Sequence, residues 1–530
     1  MASTAYPHLN THWKSTCRIL LGAEVGELSE YSEWLYENNG PRMVQKSEAS
    51  GKDVVFTSSN YSKNARWISF DEVDLDKEYP KLSINEIKDI DSVLQAISER
   101  IIYAGNIILG NSKFVDQSST ITECFYVSHS ERVAFSKHIA YSSRGGYSEN
   151  IFGCYGFGPV QFAVKCSASW DVSRCLCVSK AYFTSSSYFS HGLTGCSDCI
   201  FCFNVKNKRN MIGNLQLQKE KYLELKKKLV GEFREKLMED KRLPSIFELV
   251  EKQEPDYSIL KETIRQARPF PEEKTDKSKI EKAFSETTNI VLEKPLSPID
   301  RYSEWLSKNS AIHLEDGKSC ASGKPLIIPD YAWFLKYPRN RLITQQEADF
   351  IGDKMELPQQ EVESLSISNA SSLLNKLAFF SPFWYSGTLK NNIDSPLNVD
   401  SVDCYRGALY LLSKSCAFCF SPRSCEYSFG DREGRHNTFC VNCNFSTNIS
   451  RSFGLDSCNK CTGCYFCHNC ENIHDSILCF NVKNRRYAIG NVEVGREKFL
   501  QAKKLLLDWI NKQLDSKNKL DIDIYRISDF

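Results

Sequence analysis

Between Cys458 and Cys470 the chain reads CNKCTGCYFCHNC, five cysteines three residues apart with His468 inside the last interval. Thiolate and imidazole are the ligands of zinc and iron–sulfur sites. Cys440, Cys443, Cys458 and Cys461 form C-x2-C-x14-C-x2-C, close to a zinc-ribbon spacing, and Cys464, Cys467, Cys470 and His468 extend the candidate metal set. Such a centre would make the chain a zinc- or iron–sulfur-binding regulatory or redox protein. The other cysteines open a different reading. Those at 404, 416, 419, 425, 440, 443, 458, 461, 464, 467, 470 and 479 share one phase, every interval being a multiple of three. Random placement would do this roughly once in 10^5. Earlier in the chain, cysteines 124, 154, 166, 175, 196, 199 and 202 also share a phase, and Cys177 departs from it.

From Ser118 to Val205 every third residue on the phase of Cys124 is uncharged, and only Phe157 is large. One residue in three therefore faces a narrow interior. A strand has period two and an α-helix 3.6, so neither holds this phase. A 3-10 helix seldom outlasts a turn, and a polyproline helix would need more Gly or Pro. A thin β-solenoid remains, with turns of about 12 residues or another multiple of three and small side chains such as Cys on its axis. In the second tract Asp431 and Asn437 fall on the inward phase within SFGDREGRH, a stretch expected to loop out.

The elements around the tract are duplicated. YSEWL occurs at Tyr31–Leu35 and Tyr302–Leu306, and CFNVKNKRNMIGN from Cys202 returns as CFNVKNRRYAIGN from Cys479, a shift of 277. Under that shift Cys440, Cys458, Cys461, Cys464, Cys467 and Cys470 fall on Ala163, Ala181, Thr184, Ser187, Ser190 and Leu193. Small inward residues interchange in this way and ligands do not, so a structural ladder leads and the metal centre is the alternative. His191 and His468 coincide and read as structural histidines. A closing helix follows each tract, its stripe pairing Tyr222 with Phe499, Leu229 with Leu506, Phe233 with Ile510 and Leu237 with Leu514. SINEIKDIDSVLQAISERII predicts a further helix with Ser83 and Glu86 as a capping box.

The expected fold is α+β, mainly β. It comprises two tandem lobes, each a triplet-period β-solenoid with an N-terminal mixed region and a C-terminal capping helix. The divisions are 1–113 (mixed region), 114–243 (solenoid and cap), 244–300 (linker), 301–394 (second mixed region) and 395–530 (second solenoid and cap).

With 67 basic and 66 acidic residues in 530, no global field favours a nucleic acid or an anionic membrane, and a charge-driven partner must be met locally. No apolar run is long enough to span a bilayer and MASTAYPHLNTHWKSTC has no secretory core, so a cytoplasmic protein with largely reduced thiols is expected. No nucleophile elbow, phosphate loop or H-E-x-x-H occurs, and an enzyme has no positive support.

The two CFNVKN segments, with the helices behind them, resemble a group of uncharacterised Cys-rich proteins of archaea and candidate-phylum bacteria, whose C-x-x-C tracts close on C-x-N-[LV]-[KR]-N-[KR]. The resemblance implies tandem solenoids and no activity. The resulting expectation is a non-enzymatic scaffold with no cofactor. It would be an intramolecular pseudo-dimer, able to form homo-oligomers, that engages a macromolecular partner, protein first. The third reading is RNA or ribonucleoprotein binding through the repeated basic caps, Lys206, Lys208 and Arg209 with Lys483, Arg485 and Arg486.

Overall fold

A computed structural model describes residues 5–40, 43–83, 88–267, 275–310, 313–329 and 336–529. The fold is mixed α+β and solenoid-like, built around a sheet of 16 strands that is parallel except for its closing hairpin. In the first winding (108–212) the parallel register advances by 12: Lys113 lies beside Phe125, Phe125 beside Lys137, and Lys137 beside Glu149. The second winding (384–489) keeps the same step through short bridges, such as Asp456 to His468 and His468 to Phe480.

The three-residue phase has a backbone cause. Every third residue from Phe114 to Gly213 except Pro159, and every third from Asp400 to Gly490, has positive φ and immediately precedes an inward residue. One left-handed residue per triplet bends an otherwise extended chain, and four bends close a turn. For residues other than Gly this conformation is costly, least so for Asn and Asp, which hold many of these sites in the second winding. Aromatic occupants stack on the next turn, as Phe114 does on Tyr126 at 4.7 Å and Phe135 on Tyr147 at 4.9 Å. Phe157, the large inward residue, sits over Gly145, where any Cβ would lie 2.1 Å from its ring.

Six helices matter to the site: α1 (Tyr6–Leu21), α2 (Ile90–Ile97), α3 (Lys219–Asp240), α4 (Ser278–Leu292), α5 (Gln345–Gly352) and α6 (Arg496–Lys517). The closing helices α3 and α6 bury the expected stripes, Tyr222, Leu229, Phe233 and Leu237 in one and Phe499, Leu506, Ile510 and Leu514 in the other. α2 begins at Ile90 and is capped by Asp89, which accepts the Ser92 N–H at 2.8 Å; Ser83 lies before it and Glu86 lies outside the described residues.

Three expectations are corrected. Residues 278–300 are not linker: α4 packs Phe284 on Phe429 of the second winding and occupies the place that α1 holds on the first. The SFGDREGRH stretch does not loop out. Asp431 and Asn437 are each 1 % exposed, and Asp431 stays in the ladder because its carboxylate accepts the Cys443 N–H at 2.8 Å. Segment 1–113 does not pack as one unit on its own tract. Residues 6–36 cover the first winding, whereas residues 54–83 and 88–103 join the core of the second. Residues 326–329 and 336–380 cross reciprocally to the first. Matching bonds anchor both crossings: Asn481 donates to the Ile102 carbonyl at 2.7 Å and Asn204 to the Phe379 carbonyl at 2.9 Å, each pair related by 277.

Candidate functional site: thiol ladder and arginine cleft

Within a turn, the inward N–H groups at corners point along the stack and need an acceptor that the ladder of carbonyls does not supply. Polar inward side chains one turn below supply it. Ser130 N donates to Ser118 Oγ at 3.0 Å, Ser142 N to Ser130 Oγ at 3.1 Å, Cys154 N to Ser142 Oγ at 3.1 Å and Cys166 N to Cys154 Sγ at 3.3 Å. Aliphatic residues such as Ile121, Val127, Val133 and Ile139 take the alternate inward positions, in strands. The signal was a six-residue alternation of Ser or Cys with Ile or Val, laid over the three-residue phase.

The same geometry decides what the candidate metal residues do. Cys458, Cys461, Cys464 and Cys467 are the four inward residues of one turn, with Cys470 above Cys458, and all are buried. Each thiol shares its hydrogen between two carbonyls: Cys458 with Asp456 and Cys467 at 3.4 Å, and Cys461 with Asn459 at 3.2 Å and Cys470 at 3.6 Å. Cys440 and Cys443 do the same two turns before Cys464 and Cys467. Burial pushes the Cys464 thiol up to about 11 and the Cys470 thiol to about 12, so both stay protonated at neutral pH, the wrong form for a ligand. His468 has no free nitrogen, because Nδ1 lies 2.7 Å from Asp456 Oδ2 and Nε2 accepts the Ala104 N–H at 2.9 Å. Tyr61 and Tyr525 also donate to Asp456. The histidine therefore ties the crossing segment to the second winding. Among the described residues, no group of three or more His, Cys, Asp or Glu is disposed to hold a metal, and these residues do not fit zinc or an iron–sulfur cluster. Cys416 and Cys425 form a disulfide, and the other 20 cysteines are free.

The basic caps are largely engaged by the crossing segments. Lys206 pairs with Asp349 at 2.7 Å and Lys483 with Asp76 at 2.9 Å, while Arg485 donates to the Asp76 and Lys77 carbonyls. Arg486 lies over the Tyr487 ring at 4.9 Å. Lys208 and Arg209 remain at the surface.

A second set of cations, missed in the sequence because its members lie about 290 residues apart, meets where the windings face each other. A cleft of about 460 Å³ is lined by Arg132, Arg144, Tyr147 and Trp170 from one side and Trp384, Arg423, Glu433 and Arg435 from the other. Glu433 pairs with Arg144 at 2.5 Å and Arg132 at 3.6 Å. Burial pushes its carboxyl up, but Arg144, Arg132, Arg432 and Arg423 outweigh that and hold it below the usual range. The Arg423 guanidinium is pulled down to about 10 by burial and by the neighbouring Arg435. Burial, then Arg132 and Arg144, does the same to Arg432, also to about 10. Trp170 and Trp384 meet edge to face at 5.6 Å, and Tyr182, one turn on from Trp170, packs on Trp384 at 6.2 Å.

Tyr182 and Trp384 also line an adjoining hollow of about 540 Å³, with Lys180, Lys206 and Lys390. Lys180 donates to Gln345 Oε1 at 2.8 Å and to the Ser381 carbonyl at 3.2 Å, and burial pulls its ammonium down to about 7. Among the described residues no helix is long and apolar enough to cross a membrane. No family model, curated protein or solved structure matches the chain.

Proposed function

We propose that the chain is a non-enzymatic binding protein of two tandem solenoid lobes. The lobes are locked face to face as an intramolecular pseudo-dimer, in keeping with the tandem solenoid group that its CFNVKN caps resemble. The cleft between the windings receives a macromolecular partner. One observation carries this reading: the cleft concentrates arginines and large aromatic rings, whereas the cysteine turn and most of the cap cations are engaged by internal bonds. Rings and guanidinium groups are the side chains that dominate interface energetics. Twenty free thiols suit a reducing, cytoplasmic compartment.

The test is capture from the native cell with the tagged full chain, beside R423E/R435E and K208E/R209E. A defined partner kept by the wild type and the cap variant but released by R423E/R435E supports the cleft. A partner kept by R423E/R435E and lost from the cap variant overturns it.

A further inference from the structure

The cleft holds more positive charge than its own residues neutralise. Glu433 is shared by Arg132 and Arg144. Arg423 and Arg435 lie 12 residues apart on adjacent turns and repel one another, and neither has a side-chain hydrogen bond or ion pair among the described residues. Behind them Arg432 is buried with an Nε that finds no acceptor, and the Arg132 Nε is likewise unsatisfied. Like charges gathered in a partly buried cleft are costly, and an anion entering beside Arg423 and Arg435 relieves that cost. Asp400, the other acid on the wall, accepts the Thr388 N–H at 2.8 Å and so is tied to its own backbone.

Charge alone would suit any polyanion. The aromatic content narrows the choice. Trp170, Tyr182 and Trp384 form a ridge between the arginine end and the adjoining hollow, whose lining includes the exposed Lys390. Cations at both ends with flat rings between them match a strand that alternates phosphates with planar bases. A polyglutamate chain has no flat ring to set on that ridge. A duplex keeps its base faces stacked inside and offers none to the ridge. The near-zero net charge of +1 requires any such attraction to be local, as it is here.

Resting on the cleft reading above, we infer that this groove binds single-stranded nucleic acid, with Arg423 and Arg435 on phosphate and the Trp170–Tyr182–Trp384 ridge under the bases. RNA and DNA share this chemistry, so both are tested.

Fluorescence anisotropy with the full chain would compare oligouridylate and oligodeoxythymidylate of about twelve nucleotides, a duplex of the same length, and polyglutamate. Single strands should bind at least about tenfold more tightly than duplex or polyglutamate. R423Q/R435Q should weaken them by about tenfold or more and flatten the log–log salt slope by about 1.4, the value for two lost single-strand phosphate contacts. Y182S should weaken binding with the salt slope unchanged. Failure of both oligonucleotides to bind the folded wild type overturns the nucleic-acid inference. If polyglutamate then binds in an Arg423- and Arg435-dependent way, the cleft reading survives without it. Strands held equally by wild type and R423Q/R435Q but lost from K208Q/R209Q overturn both.

Discussion

Ser142→Ala is the sharpest test of why the windings use Ser and Cys on their axis. Ser142 is fully buried, its Oγ accepts the Cys154 N–H at 3.1 Å and its hydroxyl donates to the Ala140 carbonyl at 2.8 Å. Alanine leaves an adequate shape but abandons a buried backbone donor, which costs about 1–3 kcal/mol. Cysteine keeps an acceptor at the same place, as Cys154 Sγ already does for Cys166 N at 3.3 Å, so S142C should cost less than about 1.5 kcal/mol. Urea unfolding gives the stability difference, and hydrogen exchange at the Cys154 amide locates it. S142A should lose stability by about 2 kcal/mol and deprotect that amide. Wild-type stability in S142A with the Cys154 amide still protected, or a larger loss in S142C than in S142A, would refute the acceptor role and leave side-chain size as the only requirement.

Further outcomes follow from the same geometry. Protein purified without oxygen should carry well under one equivalent of zinc or iron, and the Cys458–Cys467 thiols should react with a thiol reagent only on unfolding; a stoichiometric metal lost in C461S/C464S would sink the ladder reading. Burial, then His12 and Lys137, pulls His138 down to about 3, and burial, then Lys180, holds His191 well below its usual value. The unfolded chain takes up those protons first, near pH 6.5. Stability should therefore be full above that pH and decline toward about pH 3, and equal urea midpoints at pH 7.5 and pH 4.5 would contradict it. At Gly352 any Cβ would lie 1.8 Å from the Asn204 carbonyl oxygen, so G352A should loosen the crossing segment around α5 and open it to limited proteolysis; unchanged resistance would show that the contact is dispensable.

Much of the winding was legible in the chain because its period is local. A left-handed residue every third position forces every third side chain inward, and the narrow axis filters those positions to small residues over many turns. The closing helices were legible for the same reason, since an amphipathic stripe is written within one helix. The partners of His191 and His468, Ser179 for one and Asp456 with the Ala104 amide for the other, were not visible in the local pattern.

What local pattern could not carry was which winding each flanking segment covers. Residues 54–83 and 88–103 join the second winding and residues 326–329 and 336–380 the first, a choice that depends on the whole chain closing on itself. That closure turned the basic caps from an exposed surface into docking points for Asp76 and Asp349. It also brought Arg132 and Arg144 against Arg423, Arg432 and Arg435, residues too far apart in sequence for any motif to join. Sequence by itself determined the repeating backbone and its core, because those depend on neighbours three and 12 residues away. The cleft was decided only by tertiary structure, because charges about 290 residues apart become neighbours only when two rigid windings are packed face to face.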